Sequence, residues 1–255
     1  MPDDPHAAGP PFMAYEALPP PRRPLGPERV VLTCEHASES LPAPWRWPAE
    51  DAPLQGTHWA FDLGAAALTR ELAEDLAAPA VLSTFSRLFV DPNREEGHDD
   101  LFRRSAEGGR PVALNAGLTP AEAERRLALA YRPFHAAIDA AVAASLAPVV
   151  LSIHSFTPVY DGKRRDLQVG VLYDRADALG EALDDRLRHA GFASARNAPY
   201  SGKEGLIYSA DRHATAHGRE ALELEVRQDL ATDPAFRAQL RAVVTDALAA
   251  LLTEG

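Results

Sequence analysis

Short apolar runs, each closing on a cluster of polar residues, alternate along most of this chain with longer amphipathic stretches. That alternation constrains the fold more than any other feature. The runs are Val30-Val31-Leu32, Ala80-Val81-Leu82, Leu88-Phe89-Val90, Val149-Val150-Leu151, Val169-Gly170-Val171-Leu172 and Leu222-Glu223-Leu224-Glu225-Val226. Their length and β-branched content predict strands. Between them Leu68, Leu72 and Leu76 recur every fourth residue and predict a helix that ends before Pro79. Thr119-Pro120 followed by Glu122 has the form of a capping box, and its apolar face continues through Leu127, Tyr131, Phe134, Ile138 and Val142. Pro133 interrupts that face and removes a backbone donor, so a kink or two abutting helices is expected there. A last helix opens at Asp233-Pro234. Strands alternating with helices of this length predict an α/β fold, a mixed or parallel sheet with helices on both faces.

The 255 residues suit a single large domain, expected over 29–255. Residues 1–28 are crowded with proline and lack apolar periodicity, which predicts an extended arm. With 26 Lys+Arg against 37 Asp+Glu the net charge is -11, which argues against nucleic acid or an anionic membrane as partner. An anionic small molecule would need local arginines. The single cysteine, Cys34, excludes an internal disulfide, and no run approaches the ~20 apolar residues of a membrane span. A soluble, cytoplasmic protein is expected; its oligomeric state is left open.

Open α/β sheets place ligands at the carboxyl ends of their strands, so polar residues there are the candidates for chemistry. His36 follows the first run, with Glu39 three residues on, and His154 follows Val149-Leu151. Two histidines, a carboxylate and an open position make a catalytic zinc arrangement. The spacing alone is weak, since His217-Gly218-Arg219-Glu220 repeats it, and a surface or capping role is the plain alternative. Arg87, Arg94, Arg165, Arg212 and Arg227 sit beside Asp, Asn, Ser or Glu, suited either to a substrate carboxylate or to ion-pair networks between loops. Glu223 and Glu225 share one strand face, where a carboxylate facing a metal is a candidate general base.

From about Arg29 to about Leu230 the chain resembles the N-formylglutamate amidohydrolases. The stretches that carry the likeness are VLTCEHASESLP, HWAFDLGAAAL, SRLFVDPNR, LSIHSFTPVYDGKRR, VGVLYD, PYSG, DRHA and LEVRQDL. The resemblance implies a three-layer α/β/α fold with a mostly parallel mixed sheet, phosphorylase/hydrolase-like as in the zinc carboxypeptidases and succinylglutamate desuccinylases. It implies metal-dependent hydrolysis of the N-acyl amide of an acidic amino acid, N-formyl-L-glutamate giving formate and L-glutamate in histidine degradation. Another N-acyl amino acid or short peptide, or a non-catalytic ligand-binding role, are the alternatives. Carried over, His36 and His154 are ligands of Zn²⁺ or another divalent metal, and Glu39 completes the set. Members with the CEHA motif often have a non-acid at the position of Glu39, which brings in Asp62 as the alternative. Asn93 and Arg94, with Arg87, would hold substrate carboxylate, and Glu225 would be the general base.

Overall fold

The computed structural model describes residues 12–20 and 29–252. Seven strands form one sheet: β1 (Tyr15–Leu18), β2 (Val30–Cys34), β3 (Ala80–Ser83), β4 (Val149–Phe156), β7 (Val169–Leu172), β8 (Ser194–Arg196) and β9 (Glu220–Arg227). A separate two-stranded hairpin joins β5 (Val159–Tyr160) to β6 (Lys163–Arg164). The sheet order is β1-β3-β2-β4-β9-β7-β8. Strands β3, β2, β4 and β9 run parallel, as do β7 and β8, whereas the β1–β3 and β7–β9 pairs are antiparallel. The sheet is therefore mixed and mostly parallel.

Both of its faces are covered, which is why the central strands read as unbroken apolar runs. On β2, Val30, Leu32 and Cys34 face one core, shared with α1 (Ala65–Leu76), α4 (Asp177–His189) and α7 (Pro234–Leu251) through Leu68, Leu72, Leu183, Leu187, Leu240 and Leu248. Val31 faces the other, with Phe134, Ile138 and Val142 of α3 (Arg132–Ala144) and Ala210 and Ala214 of α5 (Tyr208–Ala216). Alternate residues of one strand thus feed two helix layers, giving the α/β/α architecture. The remaining helices are α2 (Pro120–Arg126) and α6 (Gln228–Ala231). No helix among the described residues is long and apolar enough to cross a membrane.

Several local expectations hold. The Thr119 side chain accepts from the Glu122 N–H and Pro120 opens α2; Asp233 caps α7 through the Ala235 N–H. At Pro133 the helix neither breaks nor simply bends. A π-helical turn spans Leu127–Tyr131, and the Arg132 N–H bonds to the Leu127 carbonyl. Pro133 has no N–H to give the Leu129 carbonyl, and the wider turn carries the chain past that gap.

Two expectations do not. Leu88-Phe89-Val90 is a fully buried turn rather than a strand; the Phe89 N–H bonds to the Ser86 carbonyl, and the apolar run serves packing without pairing. Tyr15–Leu18, inside the segment expected to be an arm, is the sheet's edge strand, paired with β3 and held by the Glu16–Arg70 ion pair. Of the expected arm, 1–28, only 12–20 is described; the rest lies outside the described residues.

Candidate active site

The carboxyl ends of β2, β4 and β9 meet in a cavity of about 270 Å³. Glu35 and His36 follow β2, while the register of β4 on β9 sets Ser152 beside Glu223 and His154 beside Glu225. Leu222, Leu224 and Val226 face the α1/α4/α7 core, so strand alternation alone turns both glutamates the other way. Gly170 of β7 lies opposite Glu225; a Cβ there would come within 1.9 Å of the Ala198 carbonyl oxygen.

Asp62 reaches this point from a loop stitched to β2 by its own N–H, which donates to the His36 carbonyl at 2.9 Å. The loop then enters α1 through Gly64, whose φ of 84° and close approach to the Ala231 backbone exclude a side chain. Asp62 Oδ2 lies 2.8 Å from His154 Nδ1 and 3.4 Å from His36 Nδ1, and accepts from the Ser155 N–H at 3.2 Å. The outer nitrogens are also engaged. His36 Nε2 donates to Asp91 at 2.7 Å and His154 Nε2 donates to Glu35 at 3.0 Å. The Nδ1 atoms of both rings turn inward to Asp62 Oδ2, which accepts from them. Two imidazole nitrogens and a carboxylate oxygen converging on one point would serve as a donor set for a divalent cation taking the place of the inner protons, and the outer carboxylates fix ring orientation as they do around bound metals.

All of these groups are buried. Burial opposes a charge on His154, yet Glu223, Asp62 and Glu35 together hold its imidazole well above the usual histidine range. Burial pushes the Glu223 carboxyl up to about 7, with His154 pulling against it, and burial plus the Glu223 charge raise Glu225 well above the carboxylate range. Glu35 goes the other way, to about 2, because its bonds from His154 and Ser152 outweigh desolvation. Cys34, one residue from Glu35, is fully buried and its thiol is pushed up to about 12 by burial, so it belongs to the core.

Glu39 is not at this point. Residues after His36 run as an irregular strand-end segment, so a spacing of three does not return the side chain to the imidazole as a helical turn would. The Glu39 carboxylate accepts instead from the Gly56 N–H, and its carbonyl from Trp47 Nε1. Asp62 stands where Glu39 was expected.

The arginines divide as well. Arg87 lines the cavity but is committed to Asp91 at 3.0 Å and Asp62 at 3.4 Å. Arg94 lines it with only Nη1 engaged, on the Asn93 carbonyl. Asn93 also lines it, though its amide donates to the Leu206 carbonyl and accepts from the Ser209 N–H, fixing the loop that carries Arg94. Arg165 touches the cavity's rim through Thr157 and Tyr200. Arg212 lies outside, exposed on α5 and bonded to the Tyr208 hydroxyl, and Arg227 pairs with Asp229 and ties down the Arg165 carbonyl. Neither lines the cavity, because α5 and the end of β9 direct these side chains to local partners.

Other lining residues are not singled out as site residues by the sequence: His58, Trp59, Tyr160 and Tyr200 lie inside the stretches that carry the family likeness, and Arg103 lies outside them. They sit in loops or the short hairpin, where neither periodicity nor strand ends mark them. Their place inside the family-like stretches, just before Asp62, in the hairpin or just after β8, is the signal that could have found four of them.

A family model of N-formylglutamate amidohydrolase matches residues 28–232. Gene product Atu2144 of Agrobacterium tumefaciens has a similar solved structure, with 29% identity and a TM-score of 0.85 over 95% of this chain and 96% of that one. The N-formylglutamate amidohydrolase of Ralstonia eutropha JMP134 is similar at 22% identity and a TM-score of 0.63, covering 95% and 98%. A search of curated proteins returned no match. With the strand ends and loops that build the cavity all inside the matched stretch, the chain belongs to the N-formylglutamate amidohydrolase family.

Proposed function

We infer that this protein hydrolyses the N-acyl amide of an acidic amino acid, with N-formyl-L-glutamate, cleaved to formate and L-glutamate, as the first candidate. The observation that carries this reading is the convergence of His36 Nδ1, His154 Nδ1 and Asp62 Oδ2 in a cavity that also holds Glu225 and Arg94. Those three side chains would hold Zn²⁺ or a similar divalent ion. When bound, such an ion supplies Lewis-acid polarisation of the scissile carbonyl and makes water a stronger acid.

Glu225 is the proton carrier. One of its carboxylate oxygens, Oε2, is buried without a hydrogen-bond partner, and its environment raises its affinity for a proton. It accepts the proton of the attacking water and returns it to the departing amine. Arg94 grips a carboxylate of the substrate with the part of its fork that Asn93 leaves unused, setting the amide carbon beside the ligand cluster. Arg87 locks Asp62 and Asp91 and through them both imidazoles.

The test is a panel of N-formyl, N-formimino, N-acetyl and N-succinyl amino acids, assayed for amine release after chelation and after zinc addition. Zinc-restored turnover of N-acyl-glutamate is the expected result. Full activity in the chelated protein, or no turnover of any panel member, overturns the reading.

A further inference from the structure

Two of the arginines at this cavity already have an acid. Arg87 is paired with Asp91 and Asp62, and Arg103 with Asp100 at 3.0 Å. Among the described residues, Arg94 and Arg165 are the guanidinium groups at the cavity without a carboxylate partner. In a chain of net charge -11, two unpaired cations beside one cavity call for anions from outside.

Arg165 is also anchored through its backbone and its side chain. It follows the β5–β6 hairpin, and its backbone is fixed on both sides: its N–H donates to the Pro158 carbonyl at 2.8 Å and its carbonyl accepts from Arg227 Nη1 at 3.0 Å. Its guanidinium lies 4.7 Å from the Tyr160 ring centre and 5.5 Å from those of Phe156 and Tyr200. All three rings line the cavity. Only Nη1 is engaged, on the Thr157 carbonyl at 3.3 Å and the Tyr200 hydroxyl at 3.5 Å. Aromatic faces orient a guanidinium without neutralising it, and the planar fork keeps donors free for a second, bidentate acceptor. The inner end of the cavity is lined by Asp62, Glu223 and Glu225, acidic groups that offer a substrate carboxylate no cationic partner, whereas Arg165 stands at the rim.

We propose that Arg165, boxed by Phe156, Tyr160 and Tyr200, is the specificity-determining receptor for the side-chain carboxylate of a dicarboxylic N-acyl amino acid, leaving the α-carboxylate to Arg94. This rests on the amidohydrolase reading above and adds to it: two unpaired arginines select substrates with two carboxylates. The hairpin contributes to the same selection. Val159 and Tyr160 are 50% and 54% exposed, and Tyr160 gains cover when a carboxylate sits against the guanidinium it stacks on.

The experiment compares wild type, Arg165→Gln and Arg165→Lys on N-formyl-L-glutamate and N-formyl-L-glutamine, substrates alike but for the distal charge. Arg165→Gln is expected to raise KM for the glutamate compound about 10- to 100-fold, the worth of a charged bidentate contact, while the glutamine compound changes little. Arg165→Lys keeps the charge without the fork and should fall between. Equal losses on both substrates, or an unchanged preference, overturn the proposal. Melting temperatures run alongside identify a variant that fails to fold, in which case the lysine variant decides. If wild type cleaves neither compound, the amidohydrolase reading fails separately. Calorimetric binding of glutarate and butyrate then tests Arg165: a wild-type preference for glutarate that Arg165→Gln abolishes supports it, and a preference left intact sinks it.

Discussion

His36 donates its Nε2 proton to Asp91 across 2.7 Å, and Asp91 is itself held by Arg87 at 3.0 Å. This pair decides which nitrogen of His36 faces the ligand cluster. Were Asp91 neutral, the tautomer and the ring orientation would be less firmly set. Asp91→Asn should therefore weaken zinc binding about 10- to 100-fold while the fold survives. Chelator competition measures it, and an unchanged affinity would remove Asp91 from this role.

The third ligand is tested by a contrast. Asp62→Asn should lose zinc, because its carboxylate lies within 3.4 Å of both inner nitrogens. Glu39→Gln should keep full stoichiometry, since that carboxylate is bonded to the Gly56 N–H. Metal analysis of the two purified variants separates them, and the opposite pattern would return the role to Glu39.

Glu225→Gln removes the proposed proton acceptor and leaves the His36, His154 and Asp62 side chains intact. Turnover should fall about 10²- to 10⁴-fold with zinc still bound and KM little changed. A zinc-loaded, well-folded variant with nearly full kcat would dispose of Glu225 as the base.

The positions of these residues are unequally visible in sequence. His36, His154 and Glu225 are legible because each sits in or just past an apolar run, and for His154 and Glu225 strand alternation dictates which way the side chain points. Asp62 is not, because its place depends on a contact with the His36 carbonyl made across 26 residues, and His-x-x-Glu imitates a ligand pair wherever a helix would close it. Apolar character misleads at Leu88-Phe89-Val90, where three side chains at 0% exposure serve three-dimensional packing in a turn. Strand β1 is invisible for the opposite reason: four residues, YEAL, carry too little apolar pattern to stand out among prolines. The arginines can be enumerated but not sorted, since pairing with Asp91, Asp100 or Asp229 is a tertiary fact.

Away from the cavity, His135 and His213 stack at 5.2 Å and share a hydrogen bond of 2.9 Å. Burial lowers them to about 3 and about 4. The folded state thus keeps both neutral while the unfolded chain takes up protons near pH 6.5. Their contribution is fully present above that pH and is lost as the pH falls toward about 4. At pH 5 the loss should be on the order of 2 kcal/mol per ring. Thermal melts of wild type and His213→Gln between pH 7 and pH 5 check this: the variant should show the shallower decline, and parallel curves would refute it.

The π-helical turn has a consequence for binding. By letting the helix continue past the missing N–H of Pro133, it sets the Tyr131 hydroxyl 2.8 Å from the Arg94 carbonyl, to which it donates. Burial raises the phenol well above its usual range, so the donor proton stays in place. The ring itself is packed with Phe134 and Ile138 in the α3/α5 core, and Tyr131→Phe preserves that packing while deleting the bond to the Arg94 carbonyl and a long one, at 3.4 Å, to the Tyr208 hydroxyl. A neutral bond of this kind contributes about 1 kcal/mol, so KM should rise about 5-fold through a less well-placed Arg94. Because Glu225 and the ligand cluster are untouched, kcat should hold, and the melting temperature should move by no more than a few degrees. A purely structural tyrosine predicts a different result: lower stability with KM unchanged. Steady-state kinetics beside a thermal melt distinguish the two, and an unaltered KM would show that Arg94 keeps its position without Tyr131.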